Sequence, residues 1–139
     1  MLKNGIEYGV LGVLIFLSIV VLALIIERLW IYKKVDIGAF EDRKLLEIYL
    51  TKNLTLLATI GTNAPYIGLL GTVGGIMLTF LEISKSDLMS TVAIMSGLAL
   101  ALKATAFGLI VAIPAIVGYN LLVRKSEVLL VKWELKNGK

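Results

Sequence analysis

The longest uncharged stretch of the chain limits what it can fold into. Residues 88–123 form an apolar run of 36 positions that is broken by one charge, Lys103. Because a hydrocarbon layer of about 30 Å needs only about 20 helical residues, this run both spans a membrane and overshoots it. Small residues at 104–106, 108, 112 and 115 give the run a pattern that a lipid-facing anchor does not need. The run therefore predicts a helix that packs inside an assembly.

The composition agrees with a membrane protein and argues against several kinds of chemistry. Hydrophobic residues make up 58% of the 139 positions, and the mean hydropathy is +0.92. The chain has no cysteine and no histidine, so we expect no catalytic residues, no metal site and no cofactor. The net charge of +4 is explained by basic cytoplasmic segments. Nucleic acid is not expected as a partner, because no basic and aromatic patch stands out.

Two shorter uncharged stretches precede the long run. Residues 8–26 are closed by Glu27 and Arg28, and residues 53–81 end at Glu82. Helices over about 8–28, 62–82 and 88–122 are long enough to cross a membrane. The first stretch has no small-x-small cleavage site at its end, which favours a retained helix over a cleaved signal sequence. The predicted fold class is an all-α integral membrane protein with three transmembrane helices, in which residues 1–139 form a single domain.

The basic residues predict the orientation of these helices. Eleven lysines and arginines lie between the first two spans or after the third, whereas Lys3 and Lys85 lie on the opposite side. Since basic residues collect in cytoplasmic loops, the N-terminus is predicted outside and the C-terminus inside. The basic cytoplasmic tails would also meet anionic membrane lipids. The second and third spans then form a hairpin around a short external turn, where Ser86 or Asp87 caps the third helix.

Residues outside the spans also show helical spacing. A helix over about 40–58 is predicted because its apolar residues gather on one side. These residues are Leu46, Tyr49, Leu50, Leu54 and Leu57. The tail 124–139 has apolar residues among its charges and is predicted to continue the third helix into the cytoplasm. A helix that lies on the membrane surface is the alternative for both segments.

Small and polar residues form a stripe on each of the last two spans. On the second span, one face at 100° per residue carries Ala64, Gly68, Gly71, Thr72, Gly75, Thr79 and Glu82. On the third span, one face carries Gly97, Ala101, Ala104, Thr105, Gly108, Ala112 and Ala115. Such stripes are typical of close helix–helix contacts, and they also suit the wall of a water path. A threonine in each stripe favours a shared internal surface, because a hydroxyl can both donate and accept a hydrogen bond.

Two charges in or near the spans have two interpretations each. Glu82 is the one acidic residue on the stripe of the second span, and it is either an entrance to a proton path or an interfacial charge that ends the span. Lys103 is costly near the bilayer centre. Because Lys103 lies off the small-residue face, one interpretation is that its side chain extends to the inner surface or pairs with a neighbouring subunit. The other interpretation is that it takes part in the ion path.

Two blocks of the sequence resemble the ExbB/TolQ/MotA family of proton-channel subunits, and ExbB most of all. They are residues 64–77, which include Pro65, and residues 97–120, which include Pro114. The resemblance implies a homo-oligomeric ring, pentameric in the family, around single-span helices of an ExbD-like partner. It implies that proton flow drives a TonB-like protein from the inner membrane. The two pore threonines of the family match Thr72 and Thr105, and both prolines belong to the helix-packing set.

Two departures from the family pattern leave alternatives open. Many relatives carry a glutamate where this chain has Leu100, so the resemblance implies that the titrating carboxylate is an aspartate of the partner. The short segment between the first two spans argues against the flagellar motor branch, but a TolQ-like subunit of the Tol-Pal system stays possible. A structural membrane scaffold and an autonomous pore are the remaining alternatives.

Overall fold

The described part of the chain is entirely helical. The computed structural model describes residues 2–85 and 90–138, and their side chains from residue 5 onward. Four α-helices follow one another: α1 (Leu2–Lys34), α2 (Arg43–Thr51), α3 (Leu54–Lys85) and α4 (Thr91–Asn137), with a 3-10 turn at Ile37–Ala39 before α2. Three segments are long and apolar enough to cross a membrane, which are Gly5–Lys34, Arg43–Lys85 and Thr91–Asn137. The prediction of an all-helical chain with three such helices is confirmed.

The last two helices are much longer than a bilayer requires. With 32 residues in α3 and 47 in α4, a rise of about 1.5 Å per residue gives roughly 48 Å and 70 Å. Both lengths exceed a hydrocarbon layer of about 30 Å. The tail after residue 124 continues α4 as a helix to Asn137, as its apolar spacing predicts.

The helix predicted over about 40–58 is instead two helices with a break between them. α2 ends at Thr51, and α3 begins at Leu54, eight residues before the predicted second span. Between them Asn53 takes a left-handed conformation with φ of 70°. Asparagine tolerates this region because its short polar side chain can bond locally, and here its amide donates to the Glu27 carboxylate at 3.2 Å. Leu54 and Leu57 still face the core on the far side of the break, so the apolar spacing does not reveal it.

The start of α4 is capped by a different residue from those predicted. Ser86 and Asp87 lie outside the described residues, as does residue 88, where the third span was predicted to begin. The cap of the described helix is Ser90, whose hydroxyl accepts a hydrogen bond from the Ala93 N–H at 3.1 Å. A serine oxygen at this position satisfies one of the free N–H groups of the first turn.

α3 and α4 form the most extensive contact in the chain, and α1 packs against both of them. A Cβ placed on Gly71 of α3 would lie 3.0 Å from Val10, and one on Gly118 of α4 would lie 2.5 Å from Ile25. The glycines of α3 and α4 therefore also let the larger side chains of α1 pack closely. On its other side α1 exposes bulky apolar residues such as Phe16 and Ile19, which suit a lipid environment.

One end of the bundle, which we call the basic end, holds residues 28–57 and 122–138. Its core contains leucines of α2, α3 and α4 together with Trp133, all at most 1% exposed; the leucines are Leu46, Leu50, Leu57 and Leu122. The Trp133 indole donates to the Phe40 carbonyl at 2.9 Å. Arg28 is 2% exposed and donates to the Tyr49 carbonyl at 2.8 Å. These bonds fix α2 between the ends of α1 and α4.

Candidate functional site

The two small-residue stripes meet along one seam between α3 and α4. A Cβ on Gly68 would lie 2.6 Å from the Ala104 carbonyl oxygen, and one on Gly108 would lie 2.7 Å from the Ala64 carbonyl oxygen. No side chain fits at such distances, so only glycine allows the two backbones to approach this closely. We call the contact built by these stripes the α3–α4 seam.

Thr72 and Thr105 touch each other inside this seam. Their hydroxyl oxygens are in direct hydrogen-bonding contact. The Thr72 hydroxyl is also 2.8 Å from the Ala101 carbonyl and 3.3 Å from the Gly68 carbonyl. Thr72 is only 6% exposed, whereas Thr105 is half-buried. A single hydroxyl proton can serve one acceptor at a time, so when Thr72 donates to Ala101 its oxygen accepts from Thr105.

The seam continues from the threonines toward the far end of α3. Cβ atoms on Gly71 and Gly75 would each lie 2.8 Å from an alanine Cβ of α4, those of Ala104 and Ala101. One turn farther, Thr79 is fully buried and its hydroxyl donates to the Gly75 carbonyl at 2.9 Å. Gly97 of α4 is buried as well. Thr79 therefore adds a third hydroxyl to a seam that is otherwise lined by hydrogen and methyl groups.

The charged residues in or near the last two spans, Glu82 and Lys103, lie outside the seam. Glu82 is exposed in the last turns of α3, and Lys103 is exposed on α4. Neither forms an ion pair with any residue in the described ranges. The structure thus brings Thr72, Thr79 and Thr105 into one seam. It leaves Glu82 and Lys103 on the exposed surface of the helices.

The prolines lie within the two long helices. Pro65 is half-buried in α3 and Pro114 is exposed in α4. Because proline has no N–H, each leaves the carbonyl four residues earlier without its usual helical donor. For Pro65 this carbonyl belongs to Gly61. The Cα of Gly61 packs against the Ile116 side chain of α4.

A small cavity at the meeting point of α1, α3 and α4 is lined in part by Glu7, a residue that the sequence did not single out. Its volume is about 10 Å³, which is room for about one water molecule. The lining residues are Ile6, Glu7, Gly71, Gly75, Leu100, Ala101 and Ala104. Glu7 lies on a different helix from the stripes, so no spacing within α3 or α4 relates it to them. The only hint in the sequence is that it directly precedes the uncharged stretch of α1.

Known proteins are similar to this chain over most of its length. Residues 41–135 match the model of the MotA/TolQ/ExbB proton channel family. The chain belongs to this family. A biopolymer transport protein of Helicobacter pylori, described as ExbB-like 2, is 59% identical over 134 residues, which are 96% of this chain and 89% of the relative. The biopolymer transport protein ExbB of Aquifex aeolicus is 50% identical over 137 residues, which are 99% of this chain and 93% of the relative.

Family membership confirms the resemblance read from the sequence. Both resembling blocks, residues 64–77 and 97–120, lie inside the matched range 41–135. They also contribute the threonine contact and the glycine pair of the seam. The most distinctive part of the sequence of this ExbB-like chain is therefore the part that brings α3 and α4 together. A role in biopolymer transport is supported by the named relatives.

Proposed function

We propose that this chain is a proton-channel subunit of an inner-membrane motor complex. In this proposal, the complex uses the proton motive force to energise TonB-dependent transport across the outer membrane. The observation that carries the proposal is the contact between the hydroxyls of Thr72 and Thr105 inside the seam. The family and its biopolymer-transport members support the same class of function. The chain acts as one membrane domain and conducts protons, and we propose no enzymatic step for it.

The threonine pair can relay a proton without carrying a charge. Thr72 has three oxygens within reach, those of Gly68, Ala101 and Thr105. Rotation of its hydroxyl exchanges one acceptor for another, and the Thr105 hydroxyl can reverse its own bond at the same time. Because Thr105 is half-buried while Thr72 is buried, Thr105 is the member of the pair that can pass a proton to a group outside the seam.

The relay needs a titratable group, since a threonine hydroxyl does not ionise at ordinary pH. In this proposal, the transmembrane aspartate of an ExbD-like partner is the main titrating group. Glu7 of α1 is a second carboxylate near the seam, because it lines the small cavity beside Gly71 and Ala104. Thr79 continues the path outward from the pair, and Glu82 marks its entrance. Lys103 reaches the inner surface or pairs with a neighbouring copy.

The exposed faces of α3 and α4 support an assembly of several copies. On α3 Leu70 and Met77 are 68% and 60% exposed, and on α4 Ile110 and Ile113 are both 63% exposed. Side chains of this kind require lipid or another protein surface as neighbours. We propose a ring of five copies around the partner helices, with the N-terminus outside and the basic end in the cytoplasm. A TonB-like transducer then carries the motion to the outer membrane.

Siderophore uptake tests the proposal directly. Cells deleted for this chain are complemented with wild type, with Thr105→Val or with Thr51→Val, and ferric-siderophore uptake is measured. Valine keeps the shape of Thr105 but removes its hydroxyl, while Thr72 keeps the Ala101 carbonyl as its acceptor. We expect Thr105→Val to assemble normally and to lose uptake. Thr51→Val is the matched control, because the exposed Thr51 hydroxyl bonds only the Glu47 carbonyl of its own helix.

The other outcomes correspond to the competing functions. Rescue by both valine variants would contradict the relay and would favour a structural scaffold, which the close approach of Gly68 and Gly108 also suits. Normal uptake in the deletion strain, with no redundant homologue, would favour a TolQ-like subunit. Proton conduction by the purified chain in vesicles without any partner would instead identify an autonomous pore.

A further inference from the structure

A basic pocket lies between α1 and α4 at the basic end. Four of its eight lining residues are cations, namely Lys33, Arg124, Lys125 and Lys132. None of the four forms an ion pair with a residue in the part of the chain that the structure describes. No carboxylate lines the pocket, and Glu127 on the same stretch of α4 lines the adjoining groove instead. The pocket thus concentrates positive charge that forms no ion pair with the described residues.

The other walls of the pocket are apolar or aromatic. They are formed by Leu29 and Tyr32 of α1 and by Val128 and Leu129 of α4. The cavity volume is about 230 Å³, far more than the roughly 10–15 Å³ that admits one water molecule. A ligand that fits these walls has an anionic group for the four cations and an apolar part for the rim.

The depth of the pocket matches the headgroup layer of a membrane. The uncharged stretch of α1 ends before Glu27, so Lys33 lies about 9 Å farther along the helix at 1.5 Å per residue. Ile25 of α1 packs beside Gly118 of α4, which puts Arg124 roughly 9 Å past Ile25 and so about 6 Å past Glu27. The headgroup region extends about 5–7 Å beyond the hydrocarbon on each side. Lys33, Arg124 and Lys125 therefore lie at or just beyond the level of the lipid phosphates, and Lys132 lies about two turns farther along α4.

Trp30 gives independent support for a membrane boundary at this level. It follows Leu29, it is 58% exposed, and the Lys34 ammonium lies 4.0 Å from its ring centroid. Exposed tryptophans are enriched where a membrane meets water, because one end of the ring system is apolar and the other is polar. The apolar rim of the pocket is therefore continuous with the exposed apolar side of α1, where acyl chains can lie.

We propose that this pocket binds the phosphate of an anionic phospholipid, whose acyl chains lie along α1. Basic residues near a membrane surface attract anionic lipid, and a pocket holds the headgroup in one place. The shared chemistry is a phosphate anion, which free phosphate also offers, but the apolar rim and the depth favour the lipid. The site is independent of the threonine seam and of the proton path.

Lipid retention by the full-length chain tests the site. The protein is reconstituted in nanodiscs with equal amounts of phosphatidylglycerol and phosphatidylcholine, then extracted, and the retained lipid is quantified by mass spectrometry. We expect wild type to retain phosphatidylglycerol preferentially. A variant with Lys33→Gln, Arg124→Gln, Lys125→Gln and Lys132→Gln should lose this preference by about tenfold or more. The matched control removes the same charge elsewhere, with Lys44→Gln, Lys52→Gln, Lys85→Gln and Lys136→Gln, and should retain the lipid as wild type does.

Four results would overturn the proposal. Equal retention of the two lipids by wild type would do so even if the pocket variant failed to fold. An equal loss of the preference for phosphatidylglycerol in the control variant would mean that the net charge of the protein, and not the pocket, determines the preference. Displacement of phosphatidylglycerol by millimolar inorganic phosphate would make the site a phosphate site rather than a lipid site. A changed oligomeric mass in the pocket variant, with unchanged lipid retention, would assign the cations to a contact between copies.

Discussion

Gly68 and Gly108 determine how closely α3 and α4 approach, and through that distance they determine whether the threonines meet. Each glycine faces a carbonyl oxygen of the other helix at a distance that no Cβ tolerates. The hydroxyl contact between Thr72 and Thr105 lies one turn or less from these glycines along each helix. A change in backbone separation of even a fraction of an ångström would therefore change the distance between the two hydroxyl oxygens. At this scale the packing residues and the candidate relay residues form one unit.

Gly68→Ala is expected to destabilise the chain by about 1–3 kcal/mol, because the new methyl group would overpack against backbone that cannot move aside. The measurement is the free energy of unfolding in mixed micelles, followed by loss of helical circular dichroism. Gly9→Ala is the matched control, since nothing lies within 4 Å of a Cβ at that position. Alanine is a better helix former than glycine, so the control should be unchanged or slightly more stable. Equal destabilisation of both variants would contradict a tight seam.

Glu7→Gln is expected to lower siderophore uptake by about tenfold or more, as removal of a proton-transfer group typically does. Glutamine has nearly the same shape as glutamate but cannot transfer a proton as a carboxylate does, so assembly should be unaffected. Glu41→Gln is the control, because Glu41 is exposed between α1 and α2 and lies outside the seam and the proposed path. An equal loss of uptake in the control would contradict a specific role of Glu7.

The elements of the fold differ in how well the sequence predicts them. The three long helices follow from uncharged length alone, because a membrane admits few other structures. The buried face of α3 follows from 100° spacing, because the small residues and threonines of its stripe are buried. Glu82 at the end of the stripe is exposed. The break at Lys52 and Asn53 does not follow, because the leucines on both sides of it keep one helical face in register. The position of Glu7 beside the cavity is not predicted by the sequence either, since it depends on how α1 packs and not on any local pattern.

Asn53→Ala is expected to destabilise the junction between α2 and α3 by about 1 kcal/mol, because alanine has no local bond to offset a left-handed backbone. It also removes the amide that donates to Glu27. Asn53→Gly keeps the backbone conformation at little steric cost and should recover most of the loss. Thermal unfolding of the three proteins in the same detergent measures the effect. If glycine were no better than alanine, the hydrogen bond to Glu27 would be the main contribution of Asn53.

At the scale of the whole molecule, charge divides the chain into two ends. The basic end has a small core of its own, in which the Arg43–Glu134 ion pair fixes α2 to α4 and the Trp133 hydrogen bond fixes the segment before α2 to α4. It also contains the basic pocket. The opposite end has Lys85 as its basic residue among those whose side chains the structure describes. This asymmetry is the physical basis for the proposed orientation.

Cysteine labelling tests this orientation, and because the sequence has no cysteine, any label on the purified chain reports the introduced thiol. Lys85→Cys and Lys44→Cys place one thiol at each end of the molecule, and both positions are exposed. In intact spheroplasts, a membrane-impermeant maleimide should modify the thiol at position 85 and spare the one at position 44. After the membrane is permeabilised, both should react, which shows that each thiol is accessible in the folded protein. Labelling of position 44 alone would reverse the topology and would place the basic pocket at the outer surface of the membrane. The lipid site and the proton relay would then have to be tested separately, because the seam does not depend on which end faces the cytoplasm.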